Sequence, residues 1–188
     1  GQALFEQCRS SLEHISFFFE NASWRDKVYL RFGKFRELIQ KYESDEERWA
    51  ETYVAGGDNV YAAGQSAYCR AFAYVSVGEC ERGWNVFQTE FVPTFEDERV
   101  REIMFVGQNA TALLQVAKTT FLARYHERCE QEEDDKKRKA AELWLLAAQQ
   151  YDALTYMEPP FWPISPRACL GQVYLESGEF EKAKQAFQ

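Results

Sequence analysis

Apolar residues recur every three or four positions through most of the chain, which is the spacing of helices that bury one face. Two such stretches flank Gly33 in DKVYLRFGKFRELIQKY. A glycine between two helical patterns can adopt the left-handed conformation that ends one helix and allows a tight turn into the next. The pattern therefore predicts a helical hairpin around Gly33, and further hairpins around Gly78 and Gly178.

No segment of convincing length alternates apolar and polar residues as a strand does. We therefore predict an all-α fold, a right-handed α-solenoid of stacked antiparallel helix hairpins. We expect one domain over residues 1–188, with Pro93 ending a helix and a long helix from about Glu96 to Glu130. The chain begins without Met and ends inside a helical pattern, so we expect a fragment of a longer array. The predicted hairpins lie near 24–42, 60–92, 96–156 and 164–188.

The closing stretch, ACLGQVYLESGEFEKAKQAFQ, fits a 34-residue repeat that begins at Ile164. Small Gly171 and Ala183 are expected to let the two helices approach closely, while Leu170, Tyr174 and Phe187 fill the seam. This is the L-G-x2-Y…A-x3-F pattern of the tetratricopeptide repeat. The signature residues at repeat positions 7, 8, 11, 15, 17, 20 and 24 are Leu170, Gly171, Tyr174, Gly178, Phe180, Ala183 and Phe187.

Two earlier stretches fit the same register less completely. Around Gly78, the register places Ala71 at position 8, Tyr74 at 11, Gly83 at 20 and Phe87 at 24. Together with VYLRFGKFRELI and LTYMEPPFWPISPRACLGQVYLESGEFEKAKQAF, this stretch resembles the C-terminal half of a widespread group of tetratricopeptide-repeat proteins. In that group an E-P-P-[aromatic]-W segment leads into the final repeat. The resemblance implies a helical repeat protein without an assigned reaction.

Composition narrows the range of partners. The formal net charge is −8 and no dense Lys/Arg stripe occurs, so we expect no nucleic-acid partner. No run of about 18 apolar residues occurs, so we expect no membrane insertion. The five cysteines are odd in number and widely spaced, which predicts free thiols and a reducing, cytoplasmic location. They are Cys8, Cys69, Cys80, Cys129 and Cys169.

Catalytic and metal-binding patterns are missing from the sequence. His126 and Cys129 are three apart on a predicted helix, but a zinc site needs about four ligands and the other histidine, His14, is far away in sequence. We expect a polar helix edge there, no metal and no cofactor. No phosphate loop or nucleophile motif occurs, so we predict that the protein is not an enzyme.

Three segments are candidates for binding. EQEEDDKKRK is expected to be a solvated helix junction, with a docking patch for a charged tail as the alternative. In EPPFWP, Glu158, Phe161 and Trp162 could form an acidic and aromatic rim, but we favour the alternative that Phe161 and Trp162 plug the seam between hairpins. The inner face of the array is the third candidate. Its predicted residues are Gln65, Tyr68, Phe72 and Val75 in one hairpin and Ser165, Ala168, Gln172 and Leu175 in the last.

These features favour a protein-interaction scaffold that binds a peptide or helix of a partner on the concave face. Arg70 and Gln65 make their helix look amphipathic, so Tyr68 is expected to contact the partner and Phe72 to serve stability. One alternative is a structural subunit that is permanently packed in a large assembly. Another is a small-molecule or enzymatic pocket near Glu158.

Overall fold

The computed structural model describes residues 23–44, 60–105, 107–130, 133–155 and 162–188. This part of the chain is mostly α-helical, which confirms the predicted all-α class. The helices are α1 Ser23–Arg31, α2 Phe35–Ser44, α3 Val60–Ser76, α4 Cys80–Val86, a π-helix Phe87–Phe91, α5 Val92–Glu96, α6 Glu98–Glu102, α7 Ala110–Cys129, α8 Glu133–Asp152, α9 Pro166–Glu176 and α10 Phe180–Ala186. The strands are β1 Met104–Phe105 and β2 Gln108–Asn109.

The chain divides into two compact units, Gly1–Val100 and Arg101–Gln188. In the first unit, α1 and α2 both pack on α3, and α3 packs on α4 and the π-helix. In the second unit, α7 packs on α8, α8 on α9, and α9 on α10. Helix pairs thus lie in all four ranges where hairpins are predicted. The arrangement of these pairs as one domain and a right-handed solenoid stays a prediction.

Three hairpin turns close in the same way. Gly33, Gly78 and Gly178 have φ angles of 65°, 89° and 74°, the left-handed region that glycine adopts without steric cost. In each turn the residue after the glycine donates its N–H to the carbonyl of a tyrosine five residues earlier, which is the Schellman motif. The pairs are Lys34 to Tyr29 (2.8 Å), Glu79 to Tyr74 (2.9 Å) and Glu179 to Tyr174 (2.8 Å). The predicted glycine turns are therefore confirmed.

The close approach predicted at Gly171 is also present. A Cβ on Gly171 would lie 2.4 Å from Phe187 Cζ, far inside van der Waals contact. Leu170 and Ala183 are buried, and Tyr174 is half-buried. Phe187 differs from the prediction, because its ring rests on Gly171 while 53% of the residue remains exposed.

The region predicted as one helix from Glu96 to Glu130 is interrupted. β1 and β2 form a two-stranded antiparallel ladder in which Met104 pairs with Asn109. Strands of two residues are too short to produce an alternating pattern in the sequence. Asn109 then begins α7 as its N-cap, because its side-chain oxygen accepts the Thr111 N–H at 2.7 Å.

Pro93 does not end its helix, contrary to the prediction. The chain continues through it as α5, directly after the π-helix. In a regular α-helix the proline ring would clash with the carbonyl of Thr89, four residues earlier. A π-turn, in which Val92 N–H donates to the Phe87 carbonyl, widens the helix at this point.

Candidate functional site

The residues of α3 that were predicted to form an exposed inner face are buried. Tyr68 is 1% exposed, and Gln65 and Phe72 are buried as well. The Tyr68 and Phe72 rings lie 5.6 Å apart, and Gln65 Nε2 donates to the Tyr61 hydroxyl at 2.6 Å. The prediction that Gln65, Tyr68 and Phe72 contact a partner is therefore wrong, although the structural role expected of Phe72 agrees with its burial.

The polar residues that made α3 look amphipathic have partners inside the protein. Arg70 forms an ion pair with Glu90, and its guanidinium lies 5.5 Å from the centre of the Tyr42 ring. Burial raises the pKa of Glu90, while Arg70 opposes that rise. Arg70 on α3 thus belongs to a part-buried ion pair and does not mark a solvent-facing side.

On α9, by contrast, the predicted face is exposed. Ser165 is the N-cap and accepts the Ala168 N–H at 3.3 Å, and Gln172 donates to Glu176 at 2.8 Å. Ser165, Ala168, Gln172 and Leu175 are all exposed, and Leu175 is 42% exposed despite being apolar. We refer to these four residues as the α9 face.

Trp162 is a core residue and not part of a rim. Its ring is buried, and the indole N–H donates to the Leu113 carbonyl at 3.0 Å. The prediction that Trp162 binds a partner is therefore wrong. Its burial agrees with the alternative, in which the ring fills space between helices. Glu158 and Phe161 lie outside the described residues, so a role for them stays a prediction.

A groove of about 540 Å³ lies beside the α9 face, bounded by α8, by the end of α9 and by α10. Its lining combines charged residues with apolar surface from Leu145 and Tyr174. A second cavity of about 260 Å³ shares Lys137 and Glu176 with it. The charged residues that line the groove are Lys137, Arg138, Glu142, Glu176, Glu179 and Lys182.

Ion pairs organise the groove wall. On α8, Arg138 donates to Glu142 at 2.9 Å. On α10, Lys182 forms an ion pair with Glu179 and lies 5.5 Å from the centre of the Tyr174 ring. The hydrogen bond with Glu179 raises the pKa of Lys182 and so favours its cationic form. The segment predicted as a solvated helix junction therefore contributes Lys137 and Arg138 to a groove.

A buried polar network in the first unit was not predicted. Asp26 is its centre: Lys41 Nζ lies 2.6 Å from one carboxylate oxygen, and the Tyr42 hydroxyl and Ser66 donate to the other. Asp26 is separated from its partners by 15 to 40 residues, so periodicity gives no signal for the network. Burial and the negative charge of Asp26 raise the pKa of Tyr42 well above its usual value. The network joins α1, α2 and α3, and its burial fits a structural role.

Beside it, Lys27 is also buried. Desolvation lowers the pKa of its ammonium group to about 8, although nearby Cys69 and Asp26 favour the charged form. Burial raises the pKa of the Cys69 thiol above its usual value. These are groups held in a low-dielectric environment rather than groups presented to a substrate.

The prediction of free thiols is wrong for two cysteines. Cys69 and Cys169 are free, whereas Cys80 and Cys129 are disulfide-bonded. Cys8 lies outside the described residues. A disulfide is typical of oxidising compartments, so the cysteine pattern no longer supports the predicted cytoplasmic location.

Metal binding by His126 and Cys129 has no support in this geometry. His126 Nδ1 lies 2.6 Å from Glu130, the C-cap residue of α7, and the Cys129 sulfur is in a disulfide. In the described ranges, no group of three or more His, Cys, Asp and Glu side chains could hold a metal ion.

The two units thus define an all-α protein of helical hairpins with an exposed helix face beside a charged groove. Within the part of the chain that the structure describes, no helix is both long enough and apolar enough to cross a membrane. Comparison of the chain with protein families, curated proteins and solved structures finds no match.

Proposed function

We propose that this chain is a protein-interaction scaffold of the tetratricopeptide-repeat kind, which binds a peptide or helix of a partner protein on its second unit. The observation that carries the proposal is the exposure of the α9 face. Leu175 leaves apolar surface in solvent there, next to Gln172, which offers hydrogen bonds. Helical-hairpin arrays bind extended segments on faces of this kind.

The three identical glycine turns give independent support. They repeat one local structure at Gly33, Gly78 and Gly178, as expected for an array of homologous hairpins. Repeat arrays serve as binding surfaces more commonly than as catalysts because their curvature presents an extended groove.

The test is site-specific photo-crosslinking in lysate of the source organism. A benzophenone amino acid replaces Gln172 on the α9 face, and in a matched chain it replaces exposed Glu81 in the first unit. We expect a discrete crosslinked product from Gln172 that is missing from Glu81. Leu175→Asp should weaken its capture about 5- to 30-fold, the effect of losing an apolar contact worth about 1–2 kcal/mol. Equal labelling from the two positions would refute the proposal.

The alternative of a permanently packed subunit has its own observation in its favour. Several large apolar side chains are exposed on the second unit, beyond the α9 face. Leu146 on α8 is 43% exposed and so matches Leu175 in exposure. If Leu146→Asp and Leu175→Asp each release the chain from a large complex in sedimentation, the subunit role is favoured. If only Leu175→Asp releases the chain, the scaffold role is favoured. The exposed residues concerned are Met104, Leu145, Leu146, Phe180 and Phe187.

A further inference from the structure

The first unit contains a close counterpart of the groove wall in the second. There, Arg82 lies over Tyr74, with its guanidinium carbon 4.3 Å from the ring centre, and pairs with Glu79 at 2.8 Å. In the second unit Lys182 lies over Tyr174 and pairs with Glu179. Each residue has its counterpart 100 positions later, with the tyrosine before the shared glycine turn and the ion pair after it.

The cation in the first unit has one more partner. Arg82 Nη2 donates to Glu43 at 2.7 Å, and Glu43 lies on α2, the last helix of the preceding hairpin. This hydrogen bond is the largest cause of the raised pKa of Arg82. A carboxylate from outside the hairpin therefore completes the site around this cation.

In the second unit the corresponding carboxylate is missing from the described residues. Lys182 pairs there with Glu179 alone, although its ammonium group has three donors. The preceding helix, α8, instead places Lys137 and Arg138 on the groove wall. Glu142 of the same helix also lines the groove, but it is bonded to Arg138.

We infer that the groove bounded by α8, α9 and α10 binds an acidic side chain of the partner, which takes the place that Glu43 has in the first unit. This inference rests on the proposed function and names the chemistry of the partner. The incoming carboxylate pairs with Lys182, in a groove that Lys137 and Arg138 also line. The volume of about 540 Å³ is within the usual range of about 300–1,000 Å³ for ligand sites.

The lining of the groove also indicates which residues flank the acidic side chain in the partner. Leu145, an exposed leucine, and Tyr174 both line the groove. Glu176 and Glu179 line it as well, and they already accept from Gln172 and Lys182, respectively. A short acidic segment with leucine between its glutamates fits this lining better than a polyacidic tail, since the groove glutamates repel a dense negative charge.

The test is fluorescence polarisation with the whole chain and two labelled heptapeptides. One has the sequence Leu-Glu-Glu-Leu-Glu-Glu-Leu, and its twin has glutamine in place of each glutamate. We expect the acidic peptide to bind about tenfold more tightly at low salt, with the difference lost at high salt. Lys182→Met should weaken the acidic peptide about fivefold and leave its twin unchanged. Lys184→Met, an exposed lysine on the same helix that does not line the groove, is the matched control.

Arg138→Met on α8 provides a second variant in case Lys182→Met unfolds α10, and it should also weaken the acidic peptide selectively. Equal binding of the two peptides, or equal loss from Lys182→Met and Lys184→Met, would overturn the inference. So would the failure of the acidic peptide to bind. In each of these cases crosslinking from Gln172 still decides the proposed function, because that experiment depends on neither peptide.

Discussion

Gly83 provides the strictest test of the hairpin packing. It lies in α4 of the first unit and is buried against α3. A Cβ built on it would lie 2.6 Å from Val75 Cγ2, 2.9 Å from the Ala71 carbonyl oxygen and 3.2 Å from the Val75 nitrogen. Two of these three neighbours are backbone atoms of α3. They cannot move away as a side chain can, so Gly83→Ala must push the two helices apart.

Two effects of opposite sign determine the size of the change. Alanine is a better helix former than glycine by about 1 kcal/mol, which stabilises α4. Forcing a methyl group into a packed interface costs about 1–3 kcal/mol, and contact with backbone places this site in the upper part of that range. We expect Gly83→Ala to lower the free energy of unfolding by about 1–2 kcal/mol.

The assay is urea unfolding followed by circular dichroism, with the slope of the transition compared between variants. Asn85→Ala, an exposed substitution on the same helix, is the control and should change stability by less than about 0.5 kcal/mol. If Gly83→Ala is as stable as the wild type or more so, then α3 and α4 do not approach as closely as the structure has them.

Three further predictions concern other parts of the molecule. Gly171→Ala should lower the free energy of unfolding by less than Gly83→Ala does, below about 1 kcal/mol in urea unfolding, because the exposed Phe187 ring can move aside. Adding Phe187→Ala to the Gly171→Ala chain should remove the remaining clash. Trp162→Phe should destabilise by about 1–2 kcal/mol in the same assay, because the Leu113 carbonyl loses its donor. The pKa of Lys27 falls from 10.5 to about 8 on folding, so the unfolded chain holds more protons between these values and stability rises with pH. Relative to Lys27→Met, the wild type should gain about 1 kcal/mol from pH 8 to pH 9 in urea titrations.

Local features of the fold could be predicted from the sequence. Gly33, Gly78 and Gly178 each follow a tyrosine by four residues, and a turn of this kind depends only on neighbouring residues. The close contact at Gly171 was predicted from the repeat spacing, which fixes the residues that face each other within one hairpin. Exposure of Gln172 followed from the same register.

Features that depend on distant parts of the chain could not be predicted in this way. Arg70 made α3 look amphipathic, but its partner is Glu90 on the π-helix, 20 residues later. A one-dimensional pattern cannot distinguish a polar residue in solvent from one with an internal partner. The burial of Tyr68 followed from packing that the pattern does not contain.

The charged groove shows the same limitation. Lys137 and Arg138 belong to a run of mixed charges that is typical of a solvated junction. Only the folded chain brings them near Lys182, more than 40 residues later, and near the ring of Tyr174. Cysteine pairing is another long-range property, so the bonded state of Cys80 could not be deduced from spacing.

Glycine and alanine occupy opposite helices in the two hairpins, and this limits which helices could be exchanged between them. The first unit has Ala71 on α3 and Gly83 on α4, whereas the second has Gly171 on α9 and Ala183 on α10. A chimera that joined α3 to α10 would place the Ala183 methyl where the approach of α3 to Gly83 leaves no room for one. Each helix is therefore matched to its own partner, so whole hairpins are the units that could be duplicated or transplanted, and single helices are not.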